Sequence, residues 1–131
     1  MLVFLVRHAH SDSGDPDDLR PLSARGQEEA KKLAERVSAH PTPPRLVLTS
    51  PLVRARQTAE HIARAAGAEA RVEERLAPGA TADLLRRALA EVDGPVAAVG
   101  HQPDCSEIAL ALTGSDPGFP TGGMAELELA V

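Results

Sequence analysis

Leu2-Val3-Phe4-Leu5-Val6 is an apolar run without polar alternation, and it ends on Arg7-His8. Such a run reads as a strand buried on both faces, the pattern of a parallel sheet covered by helices. Two further runs repeat it, Leu46 to Thr49 and Val96 to Val99. Between them lie stretches of helical period. Ser23 stands as an N-cap before Ala30, Leu33, Ala34 and Val37, which share one helical face. His40 to Pro44, with three prolines, ends that helix. Ser50-Pro51 is a helix opening, with Ser as the cap and Pro in the first turn, followed by Leu52, Ala55, Ala59, Ile62 and Ala66 and closed by Gly67.

The rest of the chain continues the alternation. A short strand is expected around Val72, a third helix over Asp83 to Val92, and a fourth over Pro103 to Leu112, closed by Gly114. Ala125 to Val131 sets Leu127 and Leu129 against Glu126 and Glu128, the period of two expected of a half-exposed edge strand. Strands alternating with helices predict an α/β three-layer sandwich: a mostly parallel central sheet flanked by helices, with an edge strand at the C-terminus. With no repeat or linker, residues 1–131 read as one domain.

Composition excludes several classes. Among 131 residues there is no Trp or Tyr, and Phe4 and Phe119 are the only aromatics of the Phe, Trp and Tyr set. A nucleic-acid reader that stacks bases on aromatic rings is therefore not expected. The formal charge of −5 points the same way, because a phosphate-backbone binder carries a basic face. Cys105 is the sole cysteine, so no internal disulfide forms and a reducing cytoplasm is the expected setting. MLVFLV is too short an apolar stretch for a signal peptide or a membrane span, and no membrane partner is expected.

Polar chemistry gathers at the ends of the three buried strands. Arg7-His8 follows the first, Arg54 lies in the first helical turn after the second, and His101 follows the third. Ligands of open α/β sheets bind outside the carboxyl ends of parallel strands, so these groups are expected in one crevice. Singly, each has an ordinary explanation as a turn histidine or a surface arginine. Together, two guanidiniums can hold a phosphoryl group by bidentate hydrogen bonds, one imidazole can attack phosphorus, and a second, protonated one can stabilise the equatorial oxygens. The set suffices for phosphoryl transfer through a phosphohistidine.

Leu5-Val6-Arg7-His8-Ala9 resembles the RHG signature of the histidine phosphatase superfamily, with its phosphoglycerate-mutase-like fold. Ser50-Pro51-Leu52-Val53-Arg54-Ala55-Arg56-Gln57-Thr58-Ala59 is similar to the second block of that family, and Val99-Gly100-His101-Gln102-Pro103 to the third. Arg20-Pro21-Leu22-Ser23 with Gly26 matches the opening of the first helix, and Thr121-Gly122-Gly123-Met124-Ala125 the approach to the last strand. The resemblance runs through essentially the whole chain in the right order. It implies that His8 is the nucleophile and that Arg7, Arg54 and His101 form the phosphate pocket, with Gln102 adding a backbone donor. No metal and no cofactor are expected.

Two departures bear on substrate. Ala9 replaces the usual Gly, which matters only if the backbone there needs a positive φ. The Glu that serves larger relatives as general acid falls, in Arg75-Leu76-Ala77-Pro78-Gly79, at Pro78, which has no proton to give. A pocket Asn found in many relatives is also missing. An alkoxide leaves poorly without a positioned acid, worth on the order of 10²–10⁴-fold, whereas the nitrogen of a phosphoramidate can be protonated before cleavage. Together with the small size, this resembles the short SixA-like phosphohistidine phosphatases, whose partners are histidine phosphotransfer proteins.

A phosphomonoesterase acting on a small phosphorylated metabolite is the alternative, and a phosphate- or phosphoprotein-binding module without turnover is the alternative of another class. A zinc site of His8, His10 and His101 is disfavoured, because two arginines beside it would repel a cation. Asp12, Asp15, Asp17 and Asp18 read as a solvated acidic loop. His61 and His40 read as surface residues, Cys105 as a packing residue, and Arg20 and Arg56 as residues that could fringe the pocket. Oligomeric state is not readable from the sequence.

Overall fold

The computed structural model describes residues 1–130. Strands β1 (Leu2–Arg7), β2 (Leu46–Thr49), β3 (Glu69–Val72), β4 (Val96–Gly100) and β5 (Met124–Glu128) form one sheet in the order β3-β2-β4-β1-β5. β1, β4, β2 and β3 run parallel, and β5 lies antiparallel to β1 at the edge. Helices α1 (Ala24–Ser38) and α2 (Val53–Ala66) follow β1 and β2; α3 (Ala82–Leu89) and α4 (Asp104–Thr113) flank β4 in the chain. This is the expected α/β three-layer sandwich. Among the described residues no helix is long and apolar enough to cross a membrane.

The unalternated strands bury both faces, as their composition requires. Phe4 and Val6 pack with Leu33, Ala34 and Val37 of α1 and Ala55, Ala59 and Ile62 of α2. Val3 and Leu5, one residue out of phase, pack with Leu85 and Leu89 of α3 and Ile108 and Ala109 of α4. With few aromatics available, alanines on α2 and α4 let those helices sit close to the sheet.

Caps explain most of the helix boundaries. The Ser23 hydroxyl accepts from the Gly26 amide at 3.0 Å and starts α1. Gly67 (φ 67°) and Gly114 (φ 81°) end α2 and α4 in left-handed conformation. Some boundaries differ from expectation. α2 starts at Val53 after Leu52, and the Ser50 hydroxyl does not cap it by a bond into its first turn. α3 is shorter than Asp83 to Val92: Thr81 opens it by accepting from the Leu84 amide at 3.2 Å, and after Leu89 the chain tightens, with the Val92 amide on the Leu89 carbonyl. The segment around Val72 is a true strand, yet every side chain of β3 is exposed, because it is held by backbone pairing with β2. The strand expected over Ala125 to Val131 is observed as β5, which begins one residue earlier and ends at Glu128, with Leu129 and Ala130 outside it; Val131 lies outside the described residues.

Strand order brings the candidate residues together. β4 lies between β1 and β2, with Arg7 paired to Gly100 and Thr49 to Val99. The carboxyl ends of β1, β4 and β2 are therefore neighbours, although they lie far apart in sequence.

Candidate active site

His8 is anchored by its backbone before its ring is considered. Its amide donates to the Gly100 carbonyl at 3.0 Å, and its carbonyl accepts from the Gly122 amide at 3.1 Å. The next residue, Ala9, is fully buried and donates its amide to Thr58 Oγ1 at 3.0 Å; the same hydroxyl donates to the Arg54 carbonyl at 2.8 Å. Thr58 thus clamps α2 to the turn after β1. Among the described residues none but glycine has a positive φ, so Ala9 stands in place of glycine without backbone strain.

The His8 ring is fixed as one tautomer. Nδ1 lies 2.7 Å from the Ala9 carbonyl oxygen. A carbonyl can only accept, so Nδ1 carries the proton and Nε2 keeps its lone pair. Arg54 Nε points at that lone pair from 3.4 Å. Burial first, and then the charges of Arg54, Arg7 and Arg20, push the His8 pKa down to about 4, against a partial lift from the Ala9 carbonyl. Near neutral pH the ring is an uncharged base whose Nε2 lone pair takes a long hydrogen bond from Arg54.

His101 faces His8, with ring centroids 5.1 Å apart. It is buried, and its Nε2 lies 2.7 Å from Ser50 Oγ. Burial, the neighbouring His8 and then Arg54 lower its pKa to about 4 as well. The protonated second imidazole expected from the sequence is therefore neutral in the free protein. When the Ser50 hydroxyl donates to Nε2, the ring proton lies on Nδ1, and a neutral imidazole can still donate a hydrogen bond.

Two buried donors stand out. His101 Nδ1 and Arg7 Nε have no hydrogen-bond partner among the described residues. An unpaired buried polar group costs roughly 1–3 kcal/mol, so two in one cleft mark a place shaped for an oxygen-rich ligand. Arg7 Nη1 is held by the Phe119 carbonyl at 2.9 Å, which aims the guanidinium. Arg54 Nη1 and Nη2 reach the Asp17 carbonyl and Oδ2 at 2.9 and 3.2 Å.

The cleft measures about 410 Å³ and is walled by Arg7, His8, Arg54 and His101, with Asp17, Arg20, Pro78, Gln102 and Thr121 among its other neighbours. All five sequence candidates are therefore brought together. The Gln102 side chain, however, turns back onto α4, accepting from the Ser106 amide at 2.9 Å, so only its backbone is left for the cleft. Arg20 fringes the pocket and Arg56 does not; Pro78 forms part of the wall. The Pro78 loop is set by Asp104, whose Oδ2 accepts from the Gly79 and Ala80 amides at 2.8 and 3.2 Å.

Other sequence readings divide. His10 turns away to Ser23 Oγ at 2.6 Å and does not join His8 and His101. His61 meets Gln27 at 2.8 Å, and His40 pairs with Glu126 while its ring edges onto Phe4. Cys105 is buried and its thiol is pushed up to about 12 by burial, which suits a packing residue. The acidic loop is solvated as expected, with all four aspartates exposed; what the sequence did not disclose is that Asp17, at the rim of the cleft, pairs with Arg54, which lies too far along the chain for sequence proximity to show it. Sequence reading also missed Ser50 and Thr58. The hydroxyls following a buried strand and on the inner face of the next helix were the available signal.

A sequence model of the histidine phosphatase superfamily (branch 1) matches residues 3–102. An uncharacterised protein of Picosynechococcus sp. is 39% identical over 120 residues, covering 86% of this chain and 73% of that protein. The structure of the protein histidine phosphatase SixA complexed with tungstate superposes with a TM-score of 0.87 at 28% identity, over 98% of this chain and 88% of that one. A protein from Agrobacterium tumefaciens assigned as the phosphohistidine phosphatase SixA gives 0.83 at 30% identity, over 97% and 90% of the two chains.

Proposed function

The chain belongs to the histidine phosphatase superfamily, and from that premise we propose that it removes the phosphoryl group from phosphohistidine on a signalling protein of the histidine phosphotransfer type. The observation that carries this reading is the cleft's set of proton donors. Pro78 has none, and the Asp17 carboxyl is held below the usual carboxylate range by Arg54. No wall residue is a carboxylic acid placed to protonate a leaving alkoxide, whereas a phosphoimidazole that arrives protonated needs no such donor.

His8 Nε2 attacks phosphorus in line, and the P–N bond to the substrate imidazole breaks. The leaving ring keeps its own proton and departs neutral. Arg7 and Arg54 hold the equatorial oxygens, joined by His101 through Nδ1–H and by the Gln102 backbone amide. Water then attacks the phosphohistidine, and its P–N bond breaks to give orthophosphate and free His8. The Ala9 carbonyl keeps Nδ1 protonated, so the nucleophilic nitrogen is the one facing the cleft. A cytoplasmic setting suits the unpaired Cys105.

The test is a substrate panel: a phosphorylated histidine phosphotransfer protein, a sugar phosphate and an aryl phosphate. The expected order puts the phosphoprotein first by kcat/KM. Faster turnover of the sugar phosphate would replace this reading with a metabolite phosphomonoesterase. Failure to trap labelled phosphoryl on His8, with binding retained, would leave a phosphate-binding module.

A further inference from the structure

An ionised carboxylate is an unexpected wall for a pocket that takes a phosphoryl dianion. Asp17 opens the short turn Asp17–Leu19. Its Oδ2 accepts from Arg54 Nη2 at 3.2 Å and its Oδ1 from Arg20 Nε at 2.9 Å, so both oxygens are fixed. Its negative charge reaches the reacting end of the cleft: it acts on the His101 ring, pulling that pKa up against the lowering by burial, His8 and Arg54. The other charged cleft neighbours are Arg7, Arg20 and Arg54.

The carboxylate is not needed to hold the turn. Arg54 Nη1 already binds the Asp17 backbone carbonyl at 2.9 Å, and Arg20 Nη1 binds the Asp12 carbonyl at 2.9 Å and Ser11 Oγ at 3.0 Å. What the side chain adds is a negative charge held by Arg54 and Arg20 at the exposed rim of the cleft. That charge opposes any anion, including orthophosphate. It favours a leaving group that carries positive charge or an N–H donor, and it opposes one bearing a second negative group.

We propose that Asp17 is the specificity-determining residue of this cleft. It favours N-linked, protonated leaving groups and rejects phosphorylated molecules with a further acidic group next to the phosphoryl. The N-linked part rests on the function proposed above; the rejection of acidic substrates stands without it. In the N-linked case Asp17 accepts from the distal N–H of the phosphoimidazole, keeping that proton in place while the P–N bond breaks. The bond broken is P–N, the bond formed is His8 Nε2–P, and the proton stays on the leaving ring.

The experiment compares the wild type with Asp17→Asn and Asp17→Glu on three substrates: phosphohistidine, phenyl phosphate and carboxyphenyl phosphate. For a carboxylate at the solvent-exposed rim, screening leaves one charge worth roughly threefold. Asp17→Asn is expected to lower kcat/KM for phosphohistidine by about threefold, raise it slightly for phenyl phosphate, and raise it about threefold further for carboxyphenyl phosphate with its second negative group. Asp17→Glu should keep the wild-type ranking. The inhibition constant of orthophosphate should fall in Asp17→Asn, whereas loss of a merely structural contact would raise it. Equal factors for all three substrates, or a raised orthophosphate constant, overturns the proposal. If the wild type prefers phenyl phosphate to phosphohistidine, the proposed function fails, and the ratio of carboxyphenyl to phenyl phosphate still decides the role of Asp17.

Discussion

Ser50 Oγ lies 2.7 Å from His101 Nε2, and both side chains are buried. The same oxygen takes the Leu52 amide at 3.3 Å, so its remaining proton is free for the imidazole. Ser50 is thus placed to choose the tautomer that presents Nδ1–H to the cleft.

Replacing Ser50 by Ala should therefore act on chemistry through His101. Loss of a single oxyanion donor costs about 10²–10³-fold in kcat, and mis-setting one is expected to cost about tenfold or more. Nitrogen-15 spectra should show the His101 proton moving from Nδ1 toward Nε2, and Ser50→Thr should restore part of the rate. An unchanged tautomer with kcat within twofold of wild type would remove Ser50 from this role.

Both active-site histidines are expected to titrate near pH 4, against an ordinary value near 6.5. Between these values the unfolded chain binds protons that the folded chain does not. Stability therefore rises with pH across this window and is lost as pH falls from 6.5 toward 4, by up to about 1.4 kcal/mol per pH unit for each histidine. Urea midpoints from pH 7 to pH 4.5 check this, and His8→Ala should flatten the slope. A midpoint constant with pH would show that the rings are not held neutral.

The site's placement was legible because its residues adjoin the buried strands themselves: Arg7-His8 and His101 end runs that a parallel sheet alone explains. Caps were legible where they act locally, as with Ser23 on Gly26. Ser50 misled because Ser-Pro reads as a local cap, while its hydroxyl serves a ring 51 positions on. Asp17 was hidden among neighbouring aspartates until the fold set Arg54 against it. β3 carries no readable period, since its exposed side chains contribute little and its backbone pairing most.

Gly26 offers a test of how α1 supports the site. A Cβ there would lie 1.8 Å from the His10 carbonyl oxygen, backbone against backbone. Alanine within a helix would gain about 1 kcal/mol over glycine, but such an overlap forces helix and loop apart at a cost of roughly 1–3 kcal/mol or more. Gly26→Ala is expected to destabilise by a net ~2 kcal/mol and to lower kcat, because His10 continues the turn that carries His8. A higher urea midpoint in the variant would contradict the close approach.

Arg54 carries three bonds at once: Nε to His8 Nε2, Nη1 to the Asp17 carbonyl, and Nη2 to the Asp17 carboxylate. A lysine brings one compact ammonium and cannot span these positions, so Arg54→Lys is not a conservative change here. It should lower kcat/KM by about 10²-fold, and Arg54→Ala by more, with tungstate affinity falling in parallel. Burial does most to hold the His8 pKa down and Arg54 is the first of the charges that add to it, so in Arg54→Ala that pKa rises above about 4. The nucleophile then becomes partly protonated in mildly acid solution, and the acid limb of kcat/KM moves to higher pH. A variant that loses rate with the limb unmoved would confine Arg54 to phosphate binding and detach it from His8.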